Sequence, residues 1–344
     1  MNKKINEQMI IQLTDALDDA AMLYYNASID EENDNTAVTN YDKEKGRLHY
    51  YECLMQVIDA FLGIKELKVD DETNQKINDI FENLLNEIEE NHLNSEEVRR
   101  ALLLLDVKGF KNVNFPLDFI TPDNVALIMA KLVEGWFIKQ KKLTMLDFNF
   151  GVGNLAFTIV NYLEHKIKLI GIDNHALLAD VAVHKANMMH QDITMFHQDA
   201  LEYITKEIDV VVSDIANCEY ENQAFHSPLY DEGIRYFPYL AIEHYLKLEG
   251  SPKYVYLIDH DFFSQKGSER FKAVLEEQAR IRAFIILPPE MFRDPNQAKA
   301  LLLLDKHPTI DKHVPIYMLP PFREKEIFLD TMAEIIREIN NQNH

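Results

Sequence analysis

Four aspartates recur at the same kind of place in this chain. Asp147, Asp173, Asp199 and Asp214 each follow a short apolar run, in LTMLDF, IKLIGID, ITMFHQD and DVVVSD. A lone aspartate at a strand end most often caps the next helix; four in succession suggest a ligand with several polar parts. After Asp147 come Phe148-Asn149-Phe150-Gly151-Val152-Gly153-Asn154-Leu155. Gly151 and Gly153 flank one residue just ahead of a helix, which lets backbone come close to a ligand. The third glycine of the dinucleotide fingerprint is missing. A carboxylate four residues before Gly151 repels a pyrophosphate but attracts an ammonium or sulfonium. Asp173-Asn174 follow at the distance that suits two ribose hydroxyls. Asp199-Ala200 can accept a bond from an exocyclic adenine amine, and Asp214 opens the run Asp214-Ile215-Ala216-Asn217. Together these describe a cofactor with a cationic amino-acid end, a ribose and an adenine. S-adenosylmethionine (SAM) has those parts. A side chain at Gly153 is expected to meet the turn or the ligand, leaving most of the stability intact.

To bring those ends together the chain must build a sheet. Past residue 120, strand-like runs at 143–148, 167–172, 193–197, 208–213, 254–259, 281–287 and 300–305 alternate with helical stretches at 154–164, 174–189, 232–248 and 267–279. That alternation implies an α/β, doubly wound, mostly parallel seven-stranded Rossmann-like sheet, with ligands beyond the carboxyl ends of its strands. PPEMFRDPNQAKA separates the last two strands. It offers no helix-sized crossover, so they are expected as an antiparallel hairpin at one sheet edge. The tail, 323–341, returns to helix. Before residue 110 there are three glycines and no proline. Helices are expected at 5–24, near 41–62, and at 73–90 and 95–106, with a polar loop at 27–40. Asn94-Ser95-Glu96-Glu97 has the form of a capping box. The chain thus reads as an all-helical N-terminal domain, 1–112, and a sheet domain, 113–344.

The 344 residues carry a net charge of −22, and residues 1–110 account for −13 of it. A protein that grips nucleic acid by its overall field is excluded, so DNA binding is expected to be weak, or assisted by a protein partner. No apolar run is long enough for a membrane span, and the acidic, amphipathic start is not a signal peptide. Two cysteines, Cys53 and Cys218, give neither a disulfide framework nor a zinc motif. A cytoplasmic location fits. His184, His190 and His197 lack metal-ligand spacing, and Asp259-His260-Asp261 reads as a polar loop, so no metal is expected. No Gly-x-Ser-x-Gly elbow occurs.

Several landmarks resemble a known family, the class I SAM-dependent methyltransferases. Phe119-Ile120-Thr121-Pro122 is similar to a T-P segment that packs near the methionine end of the cofactor. Asp147 to Leu155 resembles a D-P-A-x-G-(S/T)-G-x-(F/L) loop, with Phe148 and Asn149 replacing Pro and Ala. Ile286-Leu287-Pro288-Pro289-Glu290-Met291-Phe292 and Lys299-Ala300-Leu301-Leu302 resemble the I-L-P-x-x-x-F and K-S-I-L-x-L signatures of the amino-group adenine DNA methylases. These include the modification subunits of type I restriction systems; the small stand-alone YtxK-like methyltransferases are the most similar. The resemblance covers roughly residues 115–325. It implies SAM as cofactor, held by Thr121, the 147–155 loop, Asp173-Asn174 and Asp199-Ala200, and methyl transfer to an amino nitrogen, adenine in DNA. Active relatives carry (N/D/S)-P-P-(Y/F/W) after the fourth strand, whose polar residue and carbonyl hold the amine and whose ring stacks on the extruded base. Here Asp214 and Asn217 stand at the ends of that motif, and both prolines and the ring are gone. Tyr220 is the nearest ring that could replace it. The rival reading is a SAM-binding regulatory or interaction protein with a degenerate motif. An NAD-dependent oxidoreductase is disfavoured by the missing glycine and by Asp147.

Overall fold

The computed structural model describes residues 5–27, 49–202, 207–292, 294, 298–306 and 314–341. The polar loop expected at 27–40, past Ala27, and the start of the helix expected near 41–62 lie outside them. The chain divides into two compact units, Met1–Ile120 with Asp180–Asp192, and Thr121–Ala179 with Ile193–His344. Among the described residues no helix is long and apolar enough to cross a membrane.

The first unit is helical. Met9, Leu13, Leu17 and Ala20 recur at spacings of three and four, so α1 (Glu7–Ala27) buries one face. That face packs against α2 (Tyr50–Phe61), α3 (Asp71–Asn91) and α4 (Ser95–Asn112). The capping box forms as expected: Asn94 accepts from the Glu96 and Glu97 amides, and the Glu97 carboxylate accepts from the Asn94 amide. Within the unit Asp106 is buried. It accepts from the Tyr51 hydroxyl at 3.2 Å and pairs with the ammonium of Lys185, also buried.

The second unit is built on a sheet of eight strands, one more than expected. The strands are β1 (Lys142–Asp147), β2 (Lys166–Asp173), β3 (Ile193–His197), β4 (Val210–Asp214), β5 (Lys253–Asp259), β6 (Arg280–Ile286), β7 (Lys299–Asp305) and β8 (Ile316–Met318), in the order β3-β2-β1-β4-β5-β7-β6-β8. The first five in that order are parallel. β7 is antiparallel to both β5 and β6, so the β6–β7 pair forms as expected but with β7 innermost, and β8 covers the edge of β6. β7 can lie inside because its run ALLLLD is buried at every position. β8 escaped the sequence reading because it is three residues long and has Pro315 before it and Pro320 after it.

Both sheet faces are covered. Leu146, Ile170, Val211, Tyr254, Tyr256 and Leu302 share a core with the helices Phe237–Tyr245 and Ser268–Gln278. The alternate positions, such as Met145, Val210, Val255, Leu257 and Leu303, are fully buried too. α5 (Asp123–Trp136) packs against α6 (Asn154–Tyr162) and the helix Lys325–Asn341.

Candidate cofactor and acceptor site

The strand order places the four aspartates in a row. Asp173, Asp147 and Asp214 end β2, β1 and β4, and Asp199 lies two residues beyond β3; the four strands are neighbours in the order β3-β2-β1-β4. At about 4.8 Å per strand the row spans about 14 Å of the sheet's carboxyl edge.

Asp147 is 1% exposed. Its Oδ1 accepts from the Asn149 amide at 3.1 Å and from the Ser213 hydroxyl at 3.0 Å, while Oδ2 is buried with no partner. Burial pushes this carboxyl up to about 7, and the neighbouring carboxylates of Asp214 and Asp173 add to the rise. An unpaired carboxylate oxygen at a strand end is the group an ammonium would satisfy. Asp173 accepts from the Gly151 amide at 2.7 Å and the His175 amide at 2.8 Å, one on each oxygen. It therefore fixes the glycine loop, and its remaining lone pairs are left for a ligand. Burial also raises its carboxyl. Asn174 is exposed beside it.

The loop itself is held from inside. Phe148 stacks on Tyr245, with ring centres 4.3 Å apart, and Phe150 meets Phe157 edge-on. Val152 and Leu155 are buried, so their side chains pack in the core. Gly151 and Gly153 have φ of 55° and 78°, and a Cβ at Gly153 would lie 2.4 Å from the Phe157 ring and 2.6 Å from the Phe150 ring. The expectation that a side chain there would spare the fold is corrected: Gly153 is required by the turn and by these two rings.

Thr121 joins the row from the segment before α5. Its carbonyl accepts from Asn154 Nδ2 at 2.7 Å, and its hydroxyl donates to Asp214 Oδ2 at 2.9 Å. Lys299, at the start of β7, donates to Asp214 Oδ1 at 2.5 Å. The sequence reading noted Lys299 only as part of a signature; its ion pair with Asp214 has no local signal, because the two are 85 residues apart. Asn217 is exposed and donates to Asp259, which closes β5. Tyr220 is not a free stacking ring. It sits among Phe225, Tyr230 and Phe237, and its hydroxyl donates to Asp199 at 2.7 Å. Ala200 gives its carbonyl to the Tyr245 hydroxyl at 2.6 Å.

Two of the departures from the methylase pattern meet in space. Asn149, standing where the family has Ala, accepts from the amide of Ala216 at 2.9 Å, and Ala216 stands where the family has Pro. A proline could not donate that bond. A pocket of about 330 Å³ opens beside this loop, lined by Asn217, Cys218, Glu219, Arg235, Tyr236 and Lys266 among others. The Tyr236 hydroxyl is buried without a partner. Among the described residues no cluster of His, Cys, Asp and Glu is suited to a metal ion.

A parallel core with an antiparallel β7 between β5 and β6 is the sheet of class I SAM-dependent methyltransferases. Solved methyltransferases share this fold. A candidate class I methyltransferase from Listeria monocytogenes matches with a TM-score of 0.79 at 23% identity, over 97% of this chain and 100% of that one. The type I restriction-modification methyltransferase subunit of Streptococcus thermophilus matches with a TM-score of 0.59 at 13% identity, over 98% and 93%. No protein-family profile matches the chain. In sequence, the uncharacterised protein YtxK of Bacillus subtilis is 30% identical over 302 residues, 85% of this chain and 91% of that protein. The chain belongs to the YtxK family.

Proposed function

We propose that the protein binds SAM along the row of aspartates and transfers its methyl group to an amino nitrogen. The observation that carries this reading is the buried, unpartnered Oδ2 of Asp147 at the centre of that row. It fits the ammonium of the cofactor's amino-acid end, with Asp173 facing the ribose hydroxyls and Asp199 the adenine amine. When bound, SAM supplies a methyl on a sulfonium. The chain's own residues bind and orient. Asp214, steadied by Thr121 and Lys299, accepts from the acceptor amine with a remaining lone pair. A neighbouring backbone carbonyl aligns the nitrogen lone pair with the methyl. Asp214 would hold the amine in place as its nitrogen takes the methyl, and the amine proton would leave to solvent.

The acceptor implied by the sequence resemblance is adenine in DNA, and the likeness to a type I restriction-modification methyltransferase subunit supports that reading. A second reading, a SAM-binding protein with little methylase activity, is favoured by one feature. Both Asp214 oxygens are already engaged, and no ring stands at Asn217 to hold a flipped base. A cytoplasmic location suits the two free cysteines, Cys53 and Cys218. Calorimetry with SAM tests the cofactor. Asp173→Ala should weaken binding roughly 30-fold or more through the loss of two charge-assisted bonds, and an unchanged Kd in a folded variant would refute the assignment. A tritiated-methyl assay with DNA, RNA and lysate fractions separates the two readings.

A further inference from the structure

The pocket wall and the cofactor row share a segment of chain. Residues 217–219 line the pocket, and the residue on either side of them is tied to the cofactor side. Ahead of them, the Ala216 amide donates to Asn149 in the loop after β1 at 2.9 Å. Beyond them, the Tyr220 hydroxyl donates to Asp199 at 2.7 Å, on the same carboxylate that would face the adenine amine. The opposite wall is coupled to this one. Glu219 forms an antiparallel bridge with Tyr236, the Cys218 carbonyl accepts from the Phe237 amide, and the Tyr220 amide donates to the Arg235 carbonyl at 2.7 Å. Beside the bond from Asn217 to Asp259, two polar ties hold this segment, and each of the two ends on a residue of the SAM site proposed above. The proline pair of the resembling methylases would fix this turn by covalent stiffness alone. Here it is fixed by hydrogen bonds that a ligand can strengthen or share.

We propose that the pocket beside residues 217–219 is coupled to the cofactor site through Asn149 and Tyr220, so that bound SAM orders its wall. The inference rests on the SAM reading above. An adenine amine arriving at Asp199 shares the oxygen held by Tyr220, and a ligand resting on the glycine loop immobilises Asn149. Either event changes the freedom of residues 216–220. Asn149 and Tyr220 are positioning residues; neither needs to touch the acceptor.

The test is amide exchange of the full-length protein by mass spectrometry, with and without SAM, alongside calorimetry. In the wild type, SAM should slow exchange in peptides covering 147–155 and also, by about ten-fold, in those covering 214–221. In Asn149→Ala/Tyr220→Phe the slowing at 147–155 should persist and that at 214–221 should fall below about two-fold. Tyr220→Phe alone keeps the ring in its aromatic cluster and should lose part of the effect, which secures the test if the double variant folds poorly. Protection at 214–221 that survives in these variants would overturn the inference, as would wild-type protection at 147–155 with none at 214–221. If calorimetry shows no SAM binding to the wild type at all, the cofactor reading fails and takes this inference with it.

Discussion

At the scale of single residues, Asp147 is the group whose chemistry is most displaced by its surroundings. Its carboxyl titrates at about 7 in the folded chain against 3.8 when exposed. Between those values the unfolded chain has lost the proton and the folded chain keeps it, so its contribution to stability falls as pH rises from about 4 to about 7. The loss is on the order of 4 kcal/mol. Asp147→Asn should therefore match the wild type near pH ~4 and be more stable near pH ~8; urea denaturation at both values would show it, and equal stability at both would contradict the burial argument. The same shift links to the ligand. A cation that favours the charged form should bind more tightly as pH rises through about 7, and the Asn variant should lose that dependence. The sequence made this residue visible, because an apolar run ending in Asp before a glycine-containing turn is a local pattern. Its partners were not visible. Ser213 lies 66 residues away, and Lys299 stands 85 residues from Asp214. No local periodicity encodes such distances.

Secondary-structure elements were legible where apolar runs were long, as in β5 and β7, and illegible where prolines trimmed a strand to three residues, as in β8. The loops between them were read less well. Phe148, Asn149 and Ala216 looked like three separate losses from the methylase pattern. In space Phe148 is a stacked core ring, and Asn149 and Ala216 are two halves of one hydrogen bond. The glycines show the same lesson. Gly153→Val must place a Cβ against two rings at a φ of 78°. Strain and overpacking together should destabilise the fold by about 2–5 kcal/mol. Thermal or chemical denaturation would register that loss directly. A variant as stable as the wild type would return the glycine to a purely ligand-facing role.

At the scale of the whole molecule, charge and burial set the terms. A net charge of −22 opposes a polyanion. Unaided affinity for duplex DNA should be weaker than ~1 μM at physiological salt, against ~10⁻⁸ M for specific binders. Filter binding across a salt series measures it, and a nanomolar complex would show that a local basic patch outweighs the total. In the helical unit the buried Asp106–Lys185 pair is a different kind of electrostatic commitment. Lys185→Ala strands a buried carboxylate and should destabilise by about 3–5 kcal/mol. Replacing both partners by apolar residues should recover much of that, as read by a double-mutant cycle in urea.

That pair also reaches across the chain. Asp106 belongs to the first stretch of the helical unit and Lys185 to the second, Asp180–Asp192, with β1 and β2 encoded in between. Ribosomes deliver a chain from its N-terminus at about 5–20 residues per second. The unit begun first is therefore not the unit that can be finished first: its closing piece emerges only after two sheet strands have left the exit tunnel, and until then the nascent helices hold an acid without its base.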